Sequence, residues 1–233
     1  MRVVRVRGRG FDSPHLHKPS RGCPVSDSPS PIKGIYMIGS ICVFCGSSQG
    51  ASPVYGEMAE DLGRLIARRG ITLVYGGGNV GTMGILAEAA MKEGGKVIGI
   101  IPVRLNEMVD HMDLSELFVV KDMHERKALM QEKADAFITL PGGIGTMEEL
   151  FEVWAWRYIG YHSKPVGLIN ADGFYDDLIK LLTKMTDEGF MKKAMLDDLC
   201  VADNPKDILD AIEAKIAAGL APALKVPERR SRV

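Results

Sequence analysis

From residue 38 onward, short runs of continuous apolar residues alternate with longer segments whose apolar positions recur every three or four residues. Six apolar runs predict strands, at 41–46, 71–78, 96–102, 117–120, 135–140 and 164–170. The longer segments predict helices, at 52–70, 81–95, 122–133 and in a segment that ends near Tyr158. Apolar strands that alternate with helices indicate a parallel sheet covered on both faces. We therefore predict a single doubly wound α/β domain, which binds ligands at the carboxyl ends of its strands.

Both ends of the chain differ from this pattern. Residues 1–36 hold seven Lys or Arg, two Asp and five Pro, which predicts a disordered basic tail. An RNA-binding or targeting arm is the functional alternative. A further hypothesis is that translation begins near Met37, since the string GFDSP can be encoded by the T-arm of a tRNA gene. The predicted folded domain covers 37–222, and 223–233 are predicted to be a mobile tail.

The charge of the remaining residues argues against nucleic-acid binding by the folded domain, since 22 basic side chains face 28 acidic ones. No apolar run approaches the ~20 residues that span a bilayer. The first residues also lack the continuous apolar stretch of a signal peptide. We expect a cytoplasmic protein that contacts neither membrane nor nucleic acid.

Cys42 and Cys45 form a C-x-x-C pattern, which can bind zinc or carry redox chemistry. Both lie within a predicted strand, where an odd separation places two side chains on opposite faces of the sheet. We therefore expect two buried core cysteines. No second pair of metal ligands is evident, and we expect neither a metal nor a cofactor.

Glycine-rich segments follow two predicted strands, CGSSQG at 45–50 and GGGNVGTMG at 76–84. Glycine lets backbone N–H groups surround an anion, and the start of the next helix adds partial positive charge. The predicted phosphate contacts in these segments are Gly46, Ser47, Gly77 and Gly78. Plain strand-to-helix turns are the alternative. The spacing matches neither a dinucleotide fingerprint nor a Walker motif, which favours a mononucleotide or a sugar phosphate.

The segment LPGGIGTMEEL at 140–150 has two interpretations. Thr146 and Glu149 fit the capping-box spacing T-x-x-E, in which Glu149 bonds back to the helix start. Alternatively, the glycines hold a phosphate and Glu149 is a catalytic carboxylate. Arg126 favours the second interpretation, because a cation in the first turn of a helix is unfavourable by about 0.3–1 kcal/mol unless an anion lies beside it. The helix that carries Arg126 and the helix that carries Glu149 follow consecutive strands of the chain. We therefore expect the two side chains to face one crevice.

The strings VFCGSS, LVYGGGNVGTMG, MHERK and LPGGIGTMEEL occur in this order in the LOG (Lonely Guy) family, which this sequence resembles over about residues 38–190. Members are cytokinin riboside 5′-monophosphate phosphoribohydrolases, long mislabelled as lysine decarboxylases. No stretch here predicts a cofactor-bound Schiff-base lysine. The resemblance implies a Rossmann-like homodimer that hydrolyses N⁶-modified AMP, and often AMP, to free base and ribose 5-phosphate.

By motif match, the resemblance implies that Arg126 and Glu149 are the catalytic pair. Cleavage of an N-glycosidic bond builds oxocarbenium character on the ribose, which a carboxylate can stabilise. The implied substrate contacts are Lys127, Gly142, Gly143, Gly145, Thr146 and Glu148.

The sequence departs from the family pattern at a few positions. Thr82 stands where leucine is usual, and Ala155 stands where plant members have a substrate-contacting threonine. Glu107 is only a candidate for a glutamate expected before the MHERK strand. Trp154, Trp156 and Tyr158 are predicted to line a base pocket, a dimer interface or the core. These departures concern base specificity more than the chemistry.

Two other functions remain compatible with the sequence. One is a non-catalytic carrier of a nucleotide or of the molybdenum cofactor on the same fold, and the other is a nucleotide-binding structural or regulatory dimer. The pairing of Arg126 with Glu149 favours the enzyme, because a carrier needs phosphate loops but no carboxylate at the sugar.

Overall fold

The structure is a computed structural model of the 233-residue chain and describes the backbone of residues 2–4 and all of residues 38–108 and 112–219. The three residues Arg2–Val4, within the predicted basic tail, form a short strand. The other predictions for the two tails lie outside the described residues.

Within the described residues the sheet has eight strands, and six of them form from the predicted apolar runs. The first lies in the tail predicted to be disordered, and the last lies in a segment with no predicted strand. The strands are β1 Arg2–Val4, β2 Ser40–Phe44, β3 Thr72–Tyr75, β4 Val97–Pro102, β5 Glu116–Val120, β6 Ala136–Thr139, β7 Val166–Ile169 and β8 Cys200–Ala202. Strands β2 to β8 pair in parallel, and β1 adds to β5 as an antiparallel edge. Every residue of β4, β6 and β7 is buried, as expected for strands covered on both faces.

Helices connect the strands and cover both faces. They are α1 Val54–Arg68, α2 Gly81–Lys92, α3 Val103–Asn106, α4 Met123–Glu132, α5 Ile144–Ile159, α6 Asp176–Asp187, α7 Lys193–Asp198 and α8 Pro205–Ala217, with a 3₁₀ turn at Ala171–Gly173. Within the described residues, no helix is long and apolar enough to cross a bilayer.

The strand order is β1-β5-β4-β3-β2-β6-β7-β8. The chain therefore builds outward from β2 in one direction as far as β5, then returns and builds in the other direction from β6. This reversal opens a crevice at the carboxyl ends of β2 and β6, where doubly wound sheets bind ligands.

Two hydrophobic clusters lie on opposite faces of the sheet. Helices α1, α2 and α8 pack on one face, and α4, α5 and α6 pack on the other. Cys45 belongs to the first cluster and Cys42 to the second. Both thiols are free and buried, which confirms the interpretation of the C-x-x-C pattern as core cysteines.

Helix boundaries differ from the predictions by small amounts. Helix α1 begins at Val54 rather than at Ser52, although the Ser52 hydroxyl still accepts a bond from the Val54 amide at 3.4 Å. The short helix α3 is not among the predicted helices, because its four residues are too few for a periodic signal.

Candidate functional site

Arg126 is held in place by three structural elements. The helix that carries it, α4, has Asp122 as its N-cap, and the Asp122 carboxylate accepts bonds from the amides of His124 and Glu125 at 3.0 Å. Its Nε donates to the carbonyl of Ile100 on β4 at 3.2 Å. Its Nη1 donates to Oε1 of Glu149 on α5 at 2.6 Å. Only 7% of Arg126 is exposed, so its guanidinium has a fixed orientation.

Glu149 is 8% exposed and uses its carboxylate to pair with Arg126. Helix α5 begins at Ile144 with Gly143 as its N-cap, which makes Thr146 a residue of the first turn. The capping-box interpretation of T-x-x-E is therefore wrong, because the Glu149 carboxylate bonds to a side chain of another helix. The sequence predicts an anion beside Arg126, because a cation near a helix start is otherwise unfavourable. In the structure that anion is the carboxylate of Glu149.

The pKa of Glu149 is raised above its ordinary value. Burial is the largest cause, and the charge and hydrogen bond of Arg126 oppose it without cancelling it. A carboxyl group whose pKa is shifted by burial next to a specific charge partner is typical of functional sites.

Gly76 leaves the space that the Arg126 guanidinium occupies. A Cβ atom added at Gly76 would lie 2.1 Å from Nη2 of Arg126 and 3.2 Å from Sδ of Met83. Any larger residue at the end of β3 would displace the guanidinium. The first glycine of the GGG run thus makes room for the Arg126 guanidinium, a role that the sequence pattern does not predict.

The N-terminus of α5 faces the same crevice. The first bond within the helix runs from the Met147 amide to the Gly143 carbonyl, so the preceding amides have no acceptor inside the helix. Gly143 provides no side-chain cap, and Gly143 to Gly145 are exposed. Uncapped amides at the positive end of a helix form an anion-binding site.

A cavity of about 330 Å³ brings the pair and the helix start together. Eight of the predicted site residues line it: Gly46, Ser47, Arg126, Gly143, Gly145, Thr146, Glu148 and Glu149. Cys45 and four apolar side chains complete the lining: Met83, Leu105, Met123 and Ile144. Burial raises the pKa of Cys45 to about 12, so this thiol stays protonated at neutral pH.

A second cavity of about 240 Å³ adjoins the first and shares Gly46, Ser47 and Gly143 with it. Gly142 lines this second cavity. The rings of Tyr55 and Phe174 form another wall, with their centroids 5.5 Å apart.

The remaining predicted contacts lie outside both cavities. Gly77 and Gly78 are buried at the end of β3, and Gly77 packs against β4 with a φ of 76°. The Lys127 amine pairs with Glu148 and, at 3.0 Å, with Glu152.

The amide and the carbonyl of Gly46 both bond to Thr82, which is one of the departures from the family pattern. The Gly46 amide donates to Oγ1 of Thr82 at 3.0 Å, and the same hydroxyl donates to the Gly46 carbonyl at 3.1 Å. Thr82 is 1% exposed. The threonine fixes the two glycine-rich loops to each other, and Gly46 lines the cavity without a free amide.

The other residues that departed from the pattern lie away from the cavities. Trp154 is buried in the core, whereas Trp156 is 37% exposed beside Tyr161. Ala155 is exposed on α5, and Glu107 is exposed at the end of α3. Neither of the two cavities described above is lined by any of them.

Comparison with known sequences identifies the family. The model of a family described as "Possible lysine decarboxylase" matches residues 83–212. The cytokinin riboside 5′-monophosphate phosphoribohydrolase of Rhodococcoides fascians is 48% identical over 177 residues, which cover 75% of this chain and 88% of that protein. The enzyme of the same name from Arabidopsis thaliana, LOG5, is 45% identical over 175 residues, which cover 75% of this chain and 77% of that protein. This chain belongs to the LOG family.

Solved structures share the fold. The molybdenum cofactor binding protein of Rippkaea orientalis has a TM-score of 0.59 at 27% identity, over 76% of this chain and 96% of that one. The molybdenum cofactor carrier protein of Chlamydomonas reinhardtii has a TM-score of 0.60 at 22% identity, over 76% and 98% of the two chains. The LOG relatives, at 45–48% identity, are more similar in sequence to this chain than these two proteins are.

Proposed function

We propose that this LOG-family protein hydrolyses the N-glycosidic bond of N⁶-modified adenosine 5′-monophosphate, and of AMP, to free base and ribose 5-phosphate. The observation that carries the proposal is the buried pair of Arg126 and Glu149 beside the uncapped start of α5. The names of the relatives at 45–48% identity support the same reaction.

The proposed substrate position follows from the charges that line the cavity. The 5′-phosphate lies at the N-terminus of α5, where the amides of Gly143, Gly145 and Thr146 bind it. The ribose then lies against Glu149, which stabilises the positive charge that develops on the sugar or orients the attacking water. Arg126 holds ribose hydroxyls or phosphate oxygens and so fixes the sugar. Ser47 and Gly142 complete the phosphate cradle.

A non-catalytic carrier is the weaker alternative. Binding alone gives no reason to bury a carboxylate whose pKa is raised, at a cost in stability, next to a phosphate site. Gly77 and Gly78 support the loop conformation rather than touching phosphate in this proposal, because both are buried against neighbouring elements.

We also propose that the protein is a homodimer. Apolar side chains on the outer face of α5 support this, since Phe151, Trp156 and Ile159 are each 37% or more exposed. Light scattering of the purified protein tests the stoichiometry. The cytoplasmic location stays a prediction of the sequence.

Product chromatography tests the reaction. Wild-type protein is incubated with AMP, isopentenyladenosine monophosphate and the two matching nucleosides. The proposal predicts free base and ribose 5-phosphate in a one-to-one ratio from the monophosphates, and no base from the nucleosides. A purified protein that carries a bound pterin and releases no base from any of the four would favour the carrier.

A further inference from the structure

Lys127 lies one residue after Arg126 but its side chain points to a different set of partners. Its amine donates to Oε1 of Glu148 and, at 3.0 Å, to Oε1 of Glu152. The side chain is only 11% exposed. Burial alone would lower the pKa of Lys127, but the bonds to the two carboxylates outweigh it and raise that pKa. The amine is therefore a fixed positive charge.

The second partner of Lys127 is itself held in place. Nε2 of Gln131, one turn further along α4, donates to Oε2 of Glu152 at 3.2 Å. Glu152 thus bonds to two residues of α4, and Lys127 lies between two carboxylates of α5. This network joins the two helices that carry Arg126 and Glu149.

Glu148 is the member of the network that borders the cavity. It precedes Glu149 in the chain, lines the 330 Å³ cavity, and its side chain is 51% exposed. Without a partner, this carboxylate would be free to turn over the proposed phosphate and ribose positions. A second negative charge there would oppose both phosphate binding and ionisation of Glu149.

The charged and titratable groups that face Glu149 come from three parts of the chain. Helix α4 contributes Arg126 and Lys127, and α5 contributes Glu148. The strand β2 contributes the thiol of Cys42, and the residue after that strand contributes the thiol of Cys45. The charge of Glu148 raises the pKa of Glu149, and the charge of Lys127 lowers it. Both thiols have raised pKa values because they are buried, and so add no charge at neutral pH.

We propose that Lys127 is a positioning residue that acts through Glu148: with Glu152 as its anchor, it holds the Glu148 carboxylate and neutralises its effect on Glu149. This inference rests on the proposed function, because it assigns Lys127 a role in the reaction without contact to the substrate. The family resemblance implied a substrate contact, and the two roles make different predictions.

The first arm of the test measures Glu149 directly. Protein labelled with ¹³C at the glutamate carboxyl carbons is titrated by NMR, and the Glu149 resonance is assigned by its loss in Glu149→Gln. Lys127→Met should move the Glu149 titration midpoint to higher pH by about 0.5, a threefold change in its ionisation constant. Lys127→Arg should leave the midpoint in place, and adding Glu148→Gln to Lys127→Met should restore it.

A matched control separates this effect from the general loss of a positive charge. Lys121 lies just before α4, is 86% exposed and pairs with Asp122 at 3.9 Å, away from Glu148. Lys121→Met should leave the Glu149 midpoint unchanged. Equal midpoints for Lys127→Met and wild type, or equal displacements for Lys127→Met and Lys121→Met, would overturn the inference.

The second arm uses activity. The low-pH limb of kcat/KM for AMP hydrolysis reports the free enzyme and should move with the NMR midpoint in Lys127→Met, while KM on the plateau changes less than about threefold. A rise in plateau KM of about tenfold or more, with the limb in place, would instead make Lys127 a substrate contact. If wild type releases no base but the NMR midpoints move as stated, the proposed function is wrong and the positioning of Glu148 stands.

Discussion

Nη1 of Arg126 lies 2.6 Å from Oε1 of Glu149, and the two side chains are only 9% and 10% exposed. Their helices start at β5 and β6, which are separated in the sheet by three strands. Helix α4 connects these two strands, and the Arg126 side chain extends from its start across the ends of the strands between them. Its Nε bonds to the Ile100 carbonyl on β4, and its Nη2 lies beside Gly76 after β3. The pair is thus a product of the chain reversal that also opens the crevice.

Removing the cation from this pair should destabilise the fold. Arg126→Met leaves a buried carboxylate without a partner, and we expect the free energy of unfolding at pH 7 to fall by about 3 kcal/mol. The double variant Arg126→Met/Glu149→Gln removes the stranded charge and should regain much of that loss. Urea unfolding of wild type, the two single variants Arg126→Met and Glu149→Gln, and the double variant gives the coupling. A loss from Arg126→Met that is as large in the Glu149→Gln background as in wild type would show that the two groups do not interact.

The raised pKa of Glu149 predicts a pH dependence of stability. The folded state holds this proton more tightly than the unfolded chain, whose glutamate has a pKa near 4.5. The free energy of unfolding therefore falls as the pH rises from 4.5 to the raised pKa of Glu149 in the folded state, and it levels off above that pKa. In Glu149→Gln this loss should be absent.

Urea unfolding of wild type and Glu149→Gln from pH 4 to pH 8 measures that difference. As the pH rises above 4.5, the free energy of unfolding of wild type should fall relative to that of Glu149→Gln. A difference that is constant across the range, or that changes in favour of wild type, would contradict the raised pKa.

Gly76→Ala should reduce activity more than stability. The added methyl group would lie 2.1 Å from Nη2 of Arg126, a flexible side-chain tip that can move. Displacing it by about 1 Å should lower kcat/KM on the order of a hundredfold. Gly56→Ala on α1 is the matched control, since its Cβ would meet only Ile85 at 3.4 Å. If Gly76→Ala has the kinetics of wild type, the position of the Arg126 guanidinium does not contribute to catalysis.

Thr82→Val should destabilise the junction of the two glycine-rich loops. The valine keeps the shape but leaves the buried amide of Gly46 without an acceptor, at a cost of about 1–3 kcal/mol. Thr82→Ser keeps the hydroxyl and should lose much less. Denaturant midpoints of the two variants decide the matter, and a serine variant as unstable as the valine variant would assign the role to the methyl group.

Much of the fold follows from the sequence because its signals are local. The runs that form β4, β6 and β7 are buried throughout and, apart from Thr139, carry no polar side chain, which is typical of strands covered on both faces. The start of α4 follows from Asp122, since an aspartate is a preferred N-cap and its side chain accepts bonds from the His124 and Glu125 amides. The short helix α3 carried no such signal.

The sequence predicts many of the residues that line the candidate site, but it does not predict which of them contact each other. The pattern of residues 140–150 suited a helix cap and a catalytic acid equally well, and only the packing of α4 across the sheet decides that Glu149 meets Arg126. Sequence alone likewise gave no reason to separate Gly76, which makes room for Arg126, from Gly77 and Gly78. The different roles of these glycines depend on which strand ends are neighbours in the sheet. That is set by the strand order, which local sequence patterns do not give.

The most direct test of the account compares wild type with Glu149→Gln on isopentenyladenosine monophosphate, measuring binding by calorimetry and base release by chromatography. If Glu149 acts on the sugar and the α5 N-terminus binds the phosphate, the variant should bind within about tenfold of wild type and lose at least about a hundredfold in base release. Base release by Glu149→Gln at the wild-type rate, or binding by wild type with no release, would contradict the catalytic role of the pair.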